Sequence, residues 1–278
     1  ADVQGMAQKF INPENCYIFV VGNLEVAESL AKFDSDGKIT YLNEKGDVAE
    51  PVTIKPAPAG VTDKTVLQAY VNAFTMSAND KEVAKKLKKL KSLTVKSILE
   101  VQGQKLNMNT FQKAPNKYAM VIEMGGMQLQ KMKYNGTTGK SISQAGAEAM
   151  EEDQLEAMKL QAPILSENQY DELGITTSLL GVDNVDGKDA YVLEVTDKTG
   201  EATKVYYDVA TGLKVKSITT VKNPQTGEDA VSVTEMKDYK EVDGFMIPHT
   251  RTINVPMAME IKAETVIVND KISDDMFN

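Results

Sequence analysis

The dominant pattern along the chain is an alternation of apolar and polar residues in short runs separated by turn residues. Beyond residue 93, turn signals recur every 10 to 12 residues, at Gly103, Pro115, Gly125-Gly126 and Asn135-Gly136. Between these turns, apolar side chains stand two positions apart, which places them on one face of a strand. The spacing is typical of consecutive antiparallel hairpins.

The same alternation returns in the second half of the chain. Turn signals recur there at Asp186-Gly187, Thr199-Gly200, Thr211-Gly212, Thr226-Gly227 and Asp243-Gly244. The two halves together predict a meander of roughly nine to eleven strands, and a sheet of that size tends to curl into an open or closed barrel. We therefore expect a strongly curved, mostly antiparallel sheet.

Three stretches show helical spacing instead of alternation. Helices are predicted over residues 62–74 and 79–91, before the first strand, and over 147–161, where a helix interrupts the strands and ends before Pro163. A curled sheet must fill its concave face, so we expect these helices to cover it. The predicted fold class is α+β, an open half-barrel with helices over its concave face.

The first 50 residues follow a different pattern from the rest. An apolar strand is predicted at Tyr17–Val21 between two helices, which is typical of a small α/β fragment. Three prolines and a glycine then fall within 51–61, which indicates a linker. We expect three parts: a fragment over 1–50, this linker, and a curved-sheet domain over 62–278.

Methionine is concentrated where a ligand could lie. The chain has 14 methionines, and seven of them fall between residues 108 and 158. An unbranched, polarisable side chain adapts to a flexible apolar ligand, although irregular core packing explains the same composition. The residues predicted to line an apolar cavity are Leu99, Val101, Leu106, Met108, Met120, Ile122, Met124, Met127, Leu129, Leu155, Met158, Leu193 and Val195.

Charge argues against nucleic acid as a partner. The chain has 31 basic and 40 acidic residues, so its net charge is 31 − 40 = −9. A protein of this charge repels a phosphate backbone rather than neutralising it.

The sequence has few histidine and cysteine residues, and this excludes many kinds of catalytic site. The sequence contains one His and one Cys. A zinc site needs three or four Cys, His or carboxylate ligands, and a nucleophile needs a base beside it. We therefore expect no catalytic residues, no metal and no cofactor, with Cys16 in a core and His249 as a structural residue at a strand end.

Residues 1 to about 47 resemble the last strand and helix of an insulinase/pitrilysin-type zinc peptidase half. The resemblance rests on Ala7-Gln-Lys-Phe10, Asn12-Pro-Glu-Asn15, Tyr17-Ile-Phe-Val-Val-Gly-Asn23 and Leu30-Ala-Lys-Phe33. The zinc motif of that family has no counterpart in this sequence. The resemblance implies that the chain is the C-terminal tail of a longer peptidase-like protein and is not itself a peptidase.

Residues from about 62 to 278 resemble the periplasmic lipoprotein carrier (LolA-like) and related outer-membrane lipoprotein-sorting proteins. The resemblance rests on Tyr134-Asn-Gly-Thr-Thr-Gly139, Gly187-Lys-Asp-Ala-Tyr-Val-Leu-Glu-Val195, Tyr206-Tyr-Asp-Val-Ala-Thr-Gly-Leu213, Asp238-Tyr-Lys-Glu-Val-Asp-Gly-Phe-Met-Ile-Pro-His249 and Val268-Asn-Asp-Lys-Ile-Ser-Asp-Asp-Met-Phe277. It implies an unclosed barrel with a helical lid, an apolar cavity for acyl chains, and a location in the periplasm or at the outer membrane.

The sequence departs from the carrier pattern at one position. The resemblance implies a lid and a barrel that are held together partly by an arginine on an early strand. Here the only arginine is Arg251, late in the chain, and the first strand offers only Lys96. Lid control in this protein is therefore expected to differ or to be absent.

Two functions follow as hypotheses. The first is a non-catalytic, extracytoplasmic module that holds a lipid, a lipoprotein acyl chain or another hydrophobic ligand. The second is an interaction or scaffolding domain of a peptidase homologue, in which the strand at Tyr17–Val21 pairs with an upstream domain or with a second copy. An enzymatic function remains a third alternative, which acidic residues converging on His249 would favour.

Overall fold

Tight turns between alternating segments produce a long series of antiparallel strands. The computed structural model describes residues 17–21, 27–33, 37–42, 46, 48, 54–222, 229–254 and 258–278. Within these residues, 13 strands form one sheet in the order β6-β5-β4-β3-β2-β1-β13-β12-β11-β10-β9-β8-β7. Since β6 and β7 are not hydrogen-bonded to each other, the sheet is open, and its curvature wraps it around helices on one face.

The strands fall into two consecutive groups, one on each side of a helical segment. The first group is β1 (Ser92–Val101), β2 (Gln104–Lys113), β3 (Lys117–Met124), β4 (Met127–Tyr134), β5 (Gly139–Ser143) and β6 (Gly146–Ala149). The second group is β7 (Thr176–Val185), β8 (Lys188–Thr196), β9 (Ala202–Asp208), β10 (Lys214–Lys222), β11 (Asp229–Val242), β12 (Phe245–Ile253) and β13 (Met259–Val268). Pairing of β1 with β13 joins the two groups into one sheet.

The α-helices in the described ranges are α1 (Ala27–Leu30), α2 (Asp63–Thr75), α3 (Asp80–Lys89), α4 (Glu152–Gln161) and α5 (Tyr170–Leu173). Side chains that cap the backbone fix where α2 and α3 begin. The Thr65 backbone N–H donates to Thr62 Oγ1 at 3.2 Å, and the Thr62 N–H donates to Thr65 Oγ1 at 2.9 Å. The Asn79 side chain accepts from the Lys81 N–H at 3.0 Å. Among the described residues, no helix is long and apolar enough to span a membrane.

The chain divides into two compact units, Ala1–Thr53 and Ile54–Asn278. In the larger unit, Ile54 packs on the convex face of the sheet against a cluster that includes Val192 and Tyr206. Next to it, Lys55 exchanges two backbone hydrogen bonds of 2.7 Å with Val182 of the edge strand β7. Residues in the predicted linker therefore belong to the sheet domain and cover part of its edge.

In the smaller unit, the described residues include α1, a 3₁₀ turn at Ala31–Phe33 and an isolated bridge between Leu42 and Val48. The predicted strand at Tyr17–Val21 pairs with none of the strands that the structure describes, and all five of its side chains are exposed. Cys16 and most of the segments that resemble a peptidase lie outside the described residues.

Two predictions of local structure were wrong. The helix predicted over 147–161 begins only at Glu152, because residues 146–149 form β6, which pairs antiparallel with β5. Gly146 has φ of +131°, a conformation open to glycine, so the turn closes and residues 146–149 extend as β6. The strand count is 13 rather than nine to eleven because short strands such as β5 and β6 give little alternation to detect.

Candidate functional site

The concave face of the sheet carries two apolar clusters. The first, which we call the helix-covered core, joins α2 and α3 to β1, β7, β8, β9, β12 and β13. Its aromatic rings contact one another in pairs: Tyr70 and Tyr207 have centroids 5.3 Å apart, and Phe74 and Phe245 have centroids 5.4 Å apart. The second, which we call the α4 cluster, joins α4 to Tyr118 of β3 and to β4.

A row of paired residues lies between the two clusters, and we call it the central row. Leu99 of β1 pairs with Leu106 of β2 and Ile261 of β13. Ile261 pairs with Arg251 of β12, which pairs with Met236 of β11. Paired residues in antiparallel strands project to the same face. The central row is therefore an apolar strip that contains one cation.

The alternation along β1 places the central row on the concave face. Leu93 and Val95, which contact the helix-covered core, are separated from Leu99 by even numbers of residues on a strand that is regular against β2. Leu99 and Met236 are each only 6% exposed. The central row thus forms the floor of the space on the concave side of the sheet, which we call the hollow.

Residues 152–174, which we call the crossing segment, run over the concave face from one cluster to the other. α4 and Ala162 belong to the α4 cluster, whereas Leu165 belongs to the helix-covered core. Gln112 of β2 holds the middle of the segment, since its Nε2 donates to the carbonyl oxygens of Gln161 at 3.0 Å and Pro163 at 3.1 Å. The crossing segment therefore covers part of the concave face, which is the position expected for a lid.

A buried ion pair anchors the far end of the crossing segment. Glu167 is bonded to Lys214 of β10, and its side chain is only 3% exposed. The Lys214 Nζ also lies 5.4 Å from the centroid of the Tyr70 ring. Because the Glu167 carboxylate is buried, its charge depends on Lys214, which is half-buried, for compensation.

Tyrosines surround this ion pair. Burial, and then the negative charge of Glu167, raise the pKa values of Tyr70, Tyr170, Tyr207 and Tyr239 above the ordinary tyrosine value. All four hydroxyls are therefore protonated at neutral pH. They supply hydrogen-bonding groups but no base for catalysis.

Arg251 lies in the central row, and its charge affects the pKa values of tyrosines in both clusters. Burial raises the pKa of Tyr118 in the α4 cluster to about 12, while the Arg251 charge acts to lower it. The same charge acts to lower the pKa of Tyr70 in the helix-covered core. The guanidinium therefore lies in the hollow between the clusters, and it is exposed there.

A more polar recess of about 490 Å³ opens beside β11, β12 and β13, lined by Asp238, Tyr239, Lys240, His249, Thr250, Lys262 and Ala263. Within it, the Thr250 hydroxyl donates to Asp238 at 2.5 Å. His249 Nδ1 lies 2.9 Å from the carbonyl oxygen of Ile247, so the ring is held by its own strand. No cluster of three or more His, Cys, Asp or Glu that could hold a metal occurs in the described part of the chain.

The residues predicted to line an apolar cavity occupy three environments. Those buried in or packed against the two clusters are Leu193, Val195, Leu155, Met158 and Met120. Those on strands β1 to β4 outside these clusters are Leu99, which is buried, and Val101, Leu106, Met108, Ile122 and Leu129, which are half-buried. Those exposed at the β3–β4 turn are Met124 and Met127.

Leu193 is 0% exposed beneath the helices, where it packs in the helix-covered core. The recess beside β11, β12 and β13 is lined by none of the predicted residues. The lining of an apolar cavity by the predicted residues stays a prediction.

Sequence reasoning did not place Arg251 on the concave face and did not identify the pair of Glu167 and Lys214. Both depend on contacts between residues far apart in the chain. The isolation of Arg251 as the only arginine was visible, but its strand partners were not.

No protein-family model matches this sequence. No curated protein matches it either.

Solved structures do match the fold. A DUF1329 family protein from Desulfovibrio piger aligns with a TM-score of 0.54 at 14% identity, covering 77% of this chain and 96% of that one. A LolA superfamily protein from Nitrosomonas europaea aligns with a TM-score of 0.53 at 12% identity, covering 79% and 98%. At such identities the likeness concerns the fold and not the function.

These matches agree with the geometry of the larger unit. The aligned part covers 79% of this chain, whose larger unit is an open, curved, antiparallel sheet with helices on its concave face. The α+β fold predicted from the sequence is confirmed. The chain therefore has a LolA-like half-barrel fold.

Proposed function

We propose that the protein is a non-catalytic binding module that holds a lipid, a lipoprotein acyl chain or another elongated hydrophobic ligand in the hollow of its sheet. The observation that carries this proposal is the central row, an apolar strip on the concave face between two clusters. Half-buried side chains such as Met108 and Ile122 flank it, and burying them against an acyl chain contributes about 25 cal/mol per Å².

The likeness to a LolA superfamily structure supports the proposal at the level of fold. We further propose that the protein acts outside the cytoplasm, in the periplasm or at the outer membrane, and the fold is compatible with this location. Methionine-rich walls adapt to different shapes, so selectivity among acyl chains is expected to be weak.

Native mass spectrometry of gently purified protein tests the proposal. Wild-type protein is expected to carry copurified lipid, and Ile122→Glu is expected to lose most of it, because a carboxylate among the half-buried concave side chains repels an acyl chain. Val231→Glu is the matched control, since Val231 is 56% exposed. A wild-type protein that carries no lipid and takes none from vesicles contradicts the proposal.

A second candidate function rests on the exposed run at Tyr17–Val21. Five consecutive apolar side chains are exposed there, and an unpaired apolar segment is a site for strand pairing with another chain. Its partner is an upstream peptidase-like domain or a second copy of this chain. Self-association of the full chain that disappears in a truncation to residues 54–278 supports the second copy, and a monomeric full chain excludes it.

A further inference from the structure

Arg251 is a cation without a partner on an apolar surface. It is the only arginine of the chain and is exposed in the hollow. Within the part of the chain that the structure describes, no ion pair or hydrogen bond involves its side chain. Its direct neighbours in the central row are Met236 and Ile261, neither of which carries a charge.

The acidic residues closest in the sheet are engaged elsewhere. Glu235 precedes Met236, lies on the opposite face, and is paired with Lys237 at 2.8 Å. Glu260 precedes Ile261 and is paired with Lys262 at 2.5 Å. The buried acid on the concave side, Glu167, is bonded to Lys214. These three acids are therefore engaged by lysines, and none of them pairs with Arg251.

The physical chemistry of a guanidinium explains why this arrangement suits a ligand. Its donors form a planar fork that fits a carboxylate or a phosphate through two parallel hydrogen bonds. Such a bond is strengthened where water is excluded, as it would be once an acyl chain covered the floor of the hollow. A cation beside an apolar strip matches a molecule with an acidic head and a hydrocarbon tail.

We infer that Arg251 binds the acidic head of an amphipathic acyl ligand, a carboxylate or a phosphate, whose tail lies along the central row. The inference rests on the proposed function and names the class of ligand. The head is held at Arg251, and the tail lies against Ile261 and Leu99, which follow Arg251 in the central row.

The test compares ligands that differ only in the charge of the head. Binding of oleate and methyl oleate to the full chain is measured at pH 7.4 by displacement of a fluorescent fatty-acid probe. Wild-type protein is expected to bind oleate at least about tenfold more tightly, the size of effect typical of one charge-assisted contact. Phosphatidate against diacylglycerol, presented in vesicles, distinguishes a phosphate head from a carboxylate head.

Variants of Arg251 test whether this residue causes the preference for oleate over methyl oleate. Arg251→Met is expected to abolish the preference for oleate while retaining the affinity for methyl oleate. Arg251→Gln is the second variant, for use if the first does not fold as judged by circular dichroism. Lys262→Met, which removes a neighbouring cation on the opposite face, is expected to keep the preference.

The outcomes separate the inference from the proposed function. Equal binding of charged and uncharged ligands by wild-type protein, or a preference that survives in the Arg251 variants, overturns the inference and leaves hydrophobic binding intact. Failure to bind any of the four ligands overturns both.

Discussion

Two buried tyrosines differ in whether their hydroxyl groups have partners. The Tyr239 hydroxyl donates to the carbonyl oxygen of Lys214 at 2.6 Å, whereas the buried Tyr207 hydroxyl, although it lies close to the Tyr170 hydroxyl, forms no hydrogen bond of ordinary geometry in the described structure. A buried hydroxyl without a partner destabilises the fold, and a satisfied one contributes about 1 kcal/mol. At the scale of single residues, the same chemical change should therefore have different effects at these two positions.

We predict that Tyr207→Phe leaves the free energy of unfolding unchanged or raises it by up to about 1 kcal/mol. Tyr239→Phe is expected to lower it by about 1 kcal/mol, since its acceptor loses a donor. Urea denaturation of both variants measures the difference. An equal loss of unfolding free energy in both variants would show that the Tyr207 hydroxyl also forms a hydrogen bond in the folded protein.

At the scale of elements, the last residues of the chain are fixed by lysines on neighbouring strands. Asp274 is paired with Lys113 of β2 at 2.8 Å and with Lys117 of β3 at 3.2 Å. Lys133 of β4 donates to the carbonyl oxygen of Asn278 at 2.6 Å. Phe277 is only 1% exposed, so its buried ring holds the same segment. The segment is attached by one apolar anchor and several exposed polar contacts.

This attachment predicts a dependence on pH. Hydrogen bonds and charge from Lys113 and Lys117 hold the pKa of Asp274 below its usual value. A lowered folded-state pKa stabilises the attachment above the ordinary aspartate pKa, and this stabilisation is lost as pH falls through the folded value. The protection factors of the amides of residues 274–278, which are exchange rates corrected for the intrinsic effect of pH, are expected to fall at acidic pH, and to fall less in Asp274→Asn. Protection factors that fall equally in both proteins would assign the effect to other carboxylates.

At the scale of the whole molecule, the sequence predicted the architecture better than the site. Alternation and turn residues predicted the curved sheet, and capping residues such as Thr62 and Asn79 predicted α2 and α3 closely. These signals are local. The central row depends on the pairing of β1 with β13 and of β12 with β11, which joins residues far apart in sequence. No local periodicity reports such pairing, so Arg251 could be noticed but not placed.

The boundary of the larger unit yields a prediction for the whole molecule. Ile54 packs on the convex face and Lys55 pairs with Val182, so the sheet domain includes both residues. At Gly181, a Cβ would lie 2.1 Å from the carbonyl oxygen of Lys55. Glycine there permits this close approach of the two backbones. The residues just before α2 therefore stabilise the sheet and cover part of the edge of β7.

A truncation beginning at Ile54 should unfold with a free energy close to that of the full chain, measured by urea denaturation. One beginning at Gly60 should be less stable by about 2 to 3 kcal/mol, since it loses the burial of Ile54 and two backbone hydrogen bonds. It should also aggregate more readily, because β7 then presents a longer unpaired edge. Equal stability of the two truncations would show that residues 54–59 contribute nothing to the sheet, and the domain would then begin nearer α2.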